Sequence, residues 1–349
     1  AALAELVQDR TRVQGADHPG TLDTRFYAAH WRGEAGNPRE ALNALTELLP
    51  VEERVRGTES ASTLITRLRL AQLRGESGDA AGAAAALAEL VQDRTRVQGA
   101  DHPGTLDTRF YAAHWRGESG DAAGAAAALA ELVQDRTRIL GPDHPDTLET
   151  RHDAAYWGGE AGDAAGVAAA LAELVQDRTR VQGADHPDTL DTRHNAAHWR
   201  GQAGDAAGAA AAFAELVQDR TRVQGADHPD TLDTRHNAAY WGGEAGDAAG
   251  AAAALAELVQ DQARILGPDH PDTLETRHEA ARFRGNAGDA ARAAVALLEL
   301  IEDRKRVLGP DHADTLNSNA ELSRWFAEAG FDAVAELRRL DKAPGPDPR

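Results

Sequence analysis

A period of 42 residues runs through this chain without slipping. A Thr-Leu pair recurs once in each period, and its leucines are Leu22, Leu64, Leu106, Leu148, Leu190, Leu232, Leu274 and Leu316. Self-similarity at a fixed spacing of about 20 to 50 residues is typical of stacked repeats, in which each unit buries its apolar face against its neighbours. The 349 residues therefore predict one array of repeats rather than a few globular domains.

Each unit reads as two helices, as the third copy shows. Pro103 follows Asp-His, and proline is favoured at the first position of a helix because the N–H that it lacks would be unpaired there. We expect this helix to run about four turns, to near Gly117. Residues 117–121 then predict a turn with an Asp121 cap. A second helix follows to Leu140, because its apolar residues repeat at helical spacing. The expected fold is all-α.

The period also predicts the domain organisation. A single array should occupy residues 1–340, with units beginning near residues 19, 61, 103, 145, 187, 229, 271 and 313. Residues 1–14 repeat residues 85–98 letter for letter, so we expect them to be the end of a preceding helix in a chain cut from a longer protein. Residues 341–349 are rich in proline and charge, which predicts a disordered tail.

Composition excludes several classes of function. The chain has no Cys and no Met, which excludes disulfides, thiolate chemistry and cysteine-ligated zinc. A net charge of -20 argues against binding to nucleic acid, which requires clustered Lys and Arg, and it favours a basic partner. No stretch is apolar enough to span or enter a membrane, and no signal sequence opens the chain, so a cytoplasmic protein is expected.

The copies differ mainly at three positions of the first helix. The second helices are almost interchangeable, since LAELVQDRTR begins at Leu87, Leu129 and Leu171. Positions at offsets of 0, 1 and 4 form one patch on one helical face, which is typical of a modular binding surface; the alternative is drift at exposed positions. The patch residues are Phe26, Tyr27, His30, Phe110, Tyr111, His114, His152, Asp153, Tyr156, His194, Asn195, His198, His236, Asn237, Tyr240, His278, Glu279 and Arg282, with Leu68, Arg69 and Gln72 in the second copy.

These motifs resemble a known family. The succession Thr-Leu-x-Thr-Arg-x-Asn-Ala-Ala at residues 189–197, Gly-Asp at 204–205 and Gly-Pro-Asp-His-Pro at 141–145 resembles the 42-residue tetratricopeptide repeats of kinesin light chains and of many bacterial proteins. The resemblance covers essentially the whole chain before the tail. One departure is that the large residue near the end of the family's first helix is displaced to Trp31, Trp115 and Trp199.

The resemblance implies a right-handed superhelical solenoid of about eight helix-turn-helix repeats, whose first helices line a concave groove. The variable patch residues would then line that groove. In similar arrays an asparagine on the first helix holds the backbone of a bound peptide, and Asn195 and Asn237 occupy that position. Bacterial arrays of this type often form the sensor part of signal-transduction NTPases with numerous domains, and the repeat itself implies no enzymatic activity.

Histidine invites a metal hypothesis. His194 and His198 are four residues apart on one helical face, a spacing at which two imidazoles can share a zinc ion. No HExxH motif or fixed carboxylate accompanies them, so metal binding is the weakest hypothesis and no cofactor is expected. A second set of histidines recurs in the loops and predicts a capping role: His18, His102, His144, His186, His228, His270 and His312.

A repeated arginine on the first helix predicts ion pairs between neighbouring helices rather than an anion site. Its members are Arg25, Arg67, Arg109, Arg151, Arg193, Arg235 and Arg277. No phosphate-binding loop and no nucleophile elbow occur, so the chain is not expected to be an enzyme. The second copy lacks Asp-His-Pro, which predicts a kink or weaker link that opens first between residues 50 and 74.

The leading hypothesis is an interaction module that captures a protein or peptide segment in the groove. The alternative is a structural array that self-associates through its ends into a dimer or filament.

Overall fold

The computed structural model describes residues 2–330. The predicted tail at 341–349 and the last ten residues of the predicted array lie outside this range. Helices fill the described part of the chain, and no strand occurs in it. Helices are numbered in chain order, so that even numbers are first helices and odd numbers are second helices.

The first helices are α2 (Pro19–Glu34), α4 (Ala61–Glu76), α6 (Pro103–Glu118), α8 (Pro145–Glu160), α10 (Pro187–Gln202), α12 (Pro229–Glu244), α14 (Pro271–Asn286) and α16 (Ala313–Ala329). The second helices are α1 (Ala2–Gln14), α3 (Pro38–Arg56), α5 (Ala80–Gln98), α7 (Ala122–Leu140), α9 (Ala164–Val181), α11 (Ala206–Gln224), α13 (Ala248–Ile265) and α15 (Ala290–Val307). The all-α fold of repeated helix-turn-helix units predicted by the 42-residue period is confirmed.

The loop histidines are the N-terminal caps of first helices. In each of the seven copies that carry one, the Nδ1 atom accepts a hydrogen bond from the backbone N–H two residues later, at 3.1 Å in His102 and 3.3 Å in His312. This bond satisfies one of the amides that a helix start leaves unpaired. The predicted capping role is confirmed. In the second copy Ser60 takes this role, accepting from the backbone N–H of Thr63 at 3.1 Å.

Aspartates are the N-terminal caps of most of the second helices. Oδ1 of Asp121 accepts from the backbone N–H of Gly124 at 2.9 Å, and Asp79 and Asp205 bond Gly82 and Gly208 in the same way. The predicted aspartate cap is therefore confirmed.

The described residues form two compact units, an amino-terminal and a carboxy-terminal one, with the boundary between residues 170 and 171, inside α9. In the amino-terminal unit, Leu22, Ala29, Leu45 and Leu48 pack together from α2 and α3, and Leu73 of α4 joins them. In the carboxy-terminal unit, Leu190, Phe213, Leu216 and Trp241 form an equivalent cluster. Within each unit, a repeat thus buries its core against the next repeat, as stacked repeats require.

The displaced tryptophans pack between successive first helices. Trp157 of α8 lies on Gly117 of α6, where an added Cβ would stand 2.6 Å from ring atoms. Trp115 of α6 contacts Gly75 of α4 in the same manner. Trp31 is 58% exposed because no first helix precedes α2 among the described residues.

Successive first helices contact one another within each unit. In the amino-terminal unit α2 contacts α4, α4 contacts α6 and α6 contacts α8, whereas α1, α3, α5 and α7 do not contact one another. In the carboxy-terminal unit α10, α12, α14 and α16 form the corresponding row. Each first helix has a face directed away from the second helices. The side chains on these faces therefore lie on one shared surface in each unit. Among residues 2–330 no helix has both the length and the apolar character needed to cross a membrane.

Candidate functional site

A cavity of about 460 Å³ opens on the first helices of the amino-terminal unit. Four consecutive first helices, α2, α4, α6 and α8, supply its walls, and α7 adds one arginine. The lining residues are Phe26, Tyr27, His30, Ile65, Leu68, Arg69, Gln72, Asp107, Phe110, Tyr111, Arg136, Asp146 and Glu149. We call this cavity the amino-terminal groove.

Aromatic and aliphatic side chains form its apolar part. Phe26 lies edge-on to Tyr27 with ring centroids 5.5 Å apart, and Phe110 and Tyr111 repeat the arrangement at 5.4 Å. Tyr27 is 54% exposed and Ile65 is 48% exposed, although both are large apolar residues. Exposed apolar side chains that converge in a concavity mark a surface able to bury a ligand.

Charged side chains in the groove are held in place by ion pairs. Arg69 donates to Glu34 of α2 and Glu76 of α4, both at 2.8 Å. Arg136 donates to Asp107 at 2.8 Å, and its guanidinium carbon lies 5.4 Å from the Phe110 ring centroid. Three carboxylates and two guanidiniums line the groove, so its formal charge is -1.

The structure brings eight of the predicted patch residues into this groove: Phe26, Tyr27, His30, Leu68, Arg69, Gln72, Phe110 and Tyr111. Phe110 is buried and packs on Leu106 and Leu129, so it forms the floor rather than the rim.

The remaining predicted patch residues of the amino-terminal unit lie outside the groove lining. His114 lies edge-on to Trp115 and Trp157, and burial lowers its pKa. Tyr156 lies edge-on to Trp157 at 5.2 Å. His152 has its Nδ1 atom 3.9 Å from Asp153. His114 and Tyr156 thus contact the tryptophans on α6 and α8.

In the carboxy-terminal unit the first patch position points between successive first helices. His236 Nδ1 lies 3.0 Å from the Thr276 hydroxyl, and His278 Nδ1 lies 3.2 Å from the Ser318 hydroxyl. His194 packs edge-on to Phe213 at 5.0 Å, and its buried Nδ1 has no hydrogen-bond partner. These imidazoles join one repeat to the next and offer little surface to a ligand.

The second and third patch positions in this unit are also engaged by neighbours. The amide of Asn237 donates to the backbone oxygen of Asp233 at 3.0 Å. Arg282 pairs with Glu279 and Glu244, and its guanidinium covers the Tyr240 ring at 5.3 Å. Asn195 adjoins His194 on α10, and His198 lies edge-on to Trp199 and Trp241.

His194 and His198 were the candidates for a metal site. No group of three His, Asp or Glu side chains able to hold an ion occurs within residues 2–330. Burial, with smaller effects of Arg220 and His198, lowers the pKa of His194 to about 4. The rings of His198 and Trp241 are in contact. Both imidazoles thus pack against aromatic rings in this structure.

Five of the seven repeated first-helix arginines form the predicted ion pairs. Each joins a first helix to the aspartate of the second helix that follows, and the pair Arg109–Asp135 is 2.7 Å long. Equivalent pairs are Arg67–Asp93, Arg193–Asp219, Arg235–Asp261 and Arg277–Asp303. For these five copies the interpretation as structural pairs is confirmed.

Sequence reasoning missed a second arginine, on the second helix, which is buried. Arg136 donates to the backbone oxygen of Asp146 at 3.0 Å, to the Thr150 hydroxyl at 2.8 Å and to the Asp107 carboxylate. One guanidinium thus connects α6, α7 and α8. Arg220 and Arg304 repeat this arrangement in the carboxy-terminal unit. An arginine that recurs within an otherwise apolar helical face is the signal that could have found it.

The sequence and structure comparisons agree on the class of protein. The sequence model of the tetratricopeptide repeat family matches residues 117–146, 189–230, 231–272 and 273–314. The matched segments are therefore tetratricopeptide repeats, and the same helix-turn-helix unit recurs through residues 2–330. Such repeats form helical scaffolds that typically mediate protein-protein interactions and are generally not enzymes. No curated protein matches the sequence.

Solved structures share this fold at low sequence identity. A putative kinesin light chain of Podosopora anserina with nearly identical TPR-like repeats is 20% identical, with 59% of this chain and 98% of that chain covered and a TM-score of 0.54. A second crystal structure of the same Podosopora protein superimposes with a TM-score of 0.53.

BtubC from P. vanneervenii is 16% identical, with 72% of this chain and 94% of that chain covered and a TM-score of 0.51. A signal transduction ATPase with numerous domains from Pyrococcus horikoshii, which has a tetratricopeptide repeat sensor, is 11% identical, with a TM-score of 0.60. This match covers 91% of the present chain and 44% of the Pyrococcus protein.

Proposed function

We propose that this chain is an interaction module that binds an extended peptide segment of a partner protein in the amino-terminal groove. The observation that carries the proposal is the convergence of exposed apolar side chains, Tyr27 and Ile65, in a concavity walled by four first helices. Elsewhere on the first helices, His236, His278 and Arg282 are bonded to neighbouring repeats.

Peptide binding suits the chemistry of the groove. Aromatic side chains provide large contact areas at low cost in conformational entropy, and tyrosine adds a polar hydroxyl group. The groove crosses four helices in a row, so an elongated ligand can contact all of them. Arg69 is held by two carboxylates, so it is already oriented before a ligand arrives.

The same module would serve as the sensor of a larger signalling protein, as the repeat sensor does in the Pyrococcus horikoshii protein. Binding in the groove would then be the sensed event.

Selection from a displayed library of random 12-residue peptides on the immobilised full chain tests this function. The dissociation constants of selected peptides are then measured for the native chain, Tyr27→Ala and Val97→Ala. Val97 is 37% exposed on α5 and lies outside the groove, so it is a matched control. Tyr27→Ala should weaken binding about 5-fold to 30-fold, which corresponds to about 1–2 kcal/mol for a tyrosine in a binding site. A failure to select peptides, or equal effects of both variants, would overturn the proposal.

Self-association through the ends of the array is the rival hypothesis. It predicts that the mass measured by light scattering rises with protein concentration, whereas the peptide-binding proposal requires no such rise.

A further inference from the structure

One position of the first helix breaks the pattern of the repeats inside the amino-terminal groove. The residue after the Thr-Leu pair is acidic in six of the eight copies: Asp23, Asp107, Glu149, Asp191, Asp233 and Glu275. The eighth copy has Asn317. The second copy has Ile65, so that this position is apolar only there.

The acidic residue has a clear structural role in three of the other copies. Asp107 accepts from the buried Arg136 at 2.8 Å, Asp191 accepts from Arg220 at 2.5 Å, and Glu275 accepts from Arg304 at 2.6 Å. The arginines are almost completely buried. Since an unpaired buried charge is costly, each carboxylate stabilises its repeat junction.

Because position 65 is an isoleucine, Arg94 lacks the carboxylate partner that the equivalent arginines have. Arg94 is only 3% exposed, and its donors reach the backbone oxygens of Gly104 at 2.6 Å and Leu64 at 3.0 Å. Burial lowers the pKa of Arg94, in keeping with a guanidinium that is held without a carboxylate in contact.

Ile65 itself gains little from folding. Nearly half of its side chain stays in contact with solvent, so it buries little apolar area in the free chain. The substitution therefore costs stability at Arg94 without a compensating gain in the core. Local violations of a repeat's own rules are expected where function requires them. What Ile65 adds is an apolar surface in the groove beside Leu68.

We propose that Ile65 and Leu68 form the apolar anchor site for the bound peptide and that Ile65 is the residue that selects a bulky apolar side chain. This inference rests on the proposed function and names the chemistry of its ligand. An acidic residue at position 65, as in the other copies, would present a carboxylate to the same side chain and exclude it.

Charge defines the second part of the ligand. Arg69 and Arg136 are each already paired with carboxylates of the chain. Asp146 and Glu149 of α8 also line the groove, so carboxylates outnumber guanidiniums in its lining by three to two. A basic side chain of the peptide complements this end.

The spacing between the two ligand residues follows from the helices. α4 and α8 are separated by α6, and packed helices have axes about 8–10 Å apart, so the two ends of the site are roughly 16–20 Å apart. An extended chain covers this distance in about five or six residues. The ligand is therefore a peptide with a bulky apolar residue and, about five or six residues away, a lysine or arginine.

The test uses fluorescein-labelled peptides of 12 residues in a Gly-Ser background. One set carries Leu, Phe or Ala at one position and Lys or Glu five or six residues away, in both chain directions. Dissociation constants are measured by fluorescence polarisation for the native full chain, Ile65→Asp, Ile65→Ser and Ile65→Val. The library-selected peptides of the preceding experiment are measured in parallel.

The native chain should bind the peptides that combine Leu or Phe with Lys at least 10-fold more tightly than those with Ala or Glu. Ile65→Asp and Ile65→Ser should lose at least 10-fold of that affinity, whereas Ile65→Val should retain it. Thermal unfolding of Ile65→Asp should occur at or above the native temperature because Arg94 regains a carboxylate.

The outcomes separate this inference from the proposed function. If selected peptides bind in the groove but show no preference for the apolar and basic pair, or bind Ile65→Asp as well as the native chain, the function stands and the role of Ile65 is overturned. If no peptide from the library binds, both are overturned. A lower unfolding temperature for Ile65→Asp would contradict the loss of stability that we attribute to the missing carboxylate beside Arg94.

Discussion

The indole ring of Trp157 on α8 packs against Gly117 on α6, and this contact joins two repeats. A Cβ on Gly117 would lie 2.6 Å from three atoms of the indole, closer than packed carbon atoms can approach. Equivalent contacts join Trp241 to Gly201 and Trp325 to Gly285. A glycine inside a helix is thus a requirement of repeat stacking.

Gly117→Ala should lower the stability of the amino-terminal unit by about 1–3 kcal/mol, because the methyl group overfills the contact with Trp157. Thermal and urea unfolding measure the change. Gly242→Ala is the matched control, since Gly242 also lies inside a first helix but has no atom within 4 Å of an added Cβ. That variant should gain up to about 1 kcal/mol from helix propensity alone. Equal effects of the two substitutions would contradict the proposed packing role.

Pro50 should weaken α3. It stands inside the helix, where it cannot donate a backbone hydrogen bond, and the equivalent residue of the next repeat is Gln92. Pro50→Gln should therefore stabilise the chain, by up to about 3 kcal/mol, and slow hydrogen exchange around residues 50–74. Gln92→Pro in α5 should have the opposite effect. The predicted early opening of residues 50–74 would be overturned by uniform exchange protection along the array.

His194 should make the carboxy-terminal unit sensitive to acid. Its pKa is lowered by burial from 6.5 to about 4, so between these values the unfolded chain binds a proton that the folded chain does not. The free energy of unfolding should consequently fall as the pH drops from about 6.5 to about 4, with no further loss from this group below that range. The expected loss is on the order of 3 kcal/mol, at about 1.36 kcal/mol per pKa unit.

His194→Leu, which copies Leu68 of the second repeat, should remove this part of the pH dependence in urea unfolding followed between pH 7 and 4. His186→Ser is the control, since Ser60 shows that serine can cap this helix position. That variant should keep the acid sensitivity. An unchanged pH profile for His194→Leu would contradict the assignment to this imidazole.

Much of the fold could be predicted from sequence because its determinants are local. The 42-residue period, the His-Pro helix starts and the aspartate caps each act within a few residues, and the structure has the helices where they predict them. An ion pair such as Arg109–Asp135 could be anticipated from sequence, since an arginine and an aspartate recur together at these positions in six of the eight units.

The site could be predicted only in part, because the direction of a side chain depends on the neighbouring repeat. Offsets along one helix placed Tyr27 and His236 in one patch, yet Tyr27 is open and His236 is bonded to Thr276 of the next first helix. The role of Ile65 depends on Arg94, which lies on the following helix, so it becomes visible only when the distances between helices are known. Resemblance to the family pointed to the first helices but could not show which part of their surface is apolar and open.

The most direct test of the peptide-binding account is a photo-crosslinking measurement on the full chain. A benzophenone amino acid is placed at position 27 on α2 or, in a separate variant, at position 97 on α5, and a library-selected peptide is irradiated with each variant. The account predicts that mass spectrometry finds the peptide joined to position 27 and not to position 97. Crosslinks of equal yield at both positions, or at position 97 alone, would contradict binding in the amino-terminal groove.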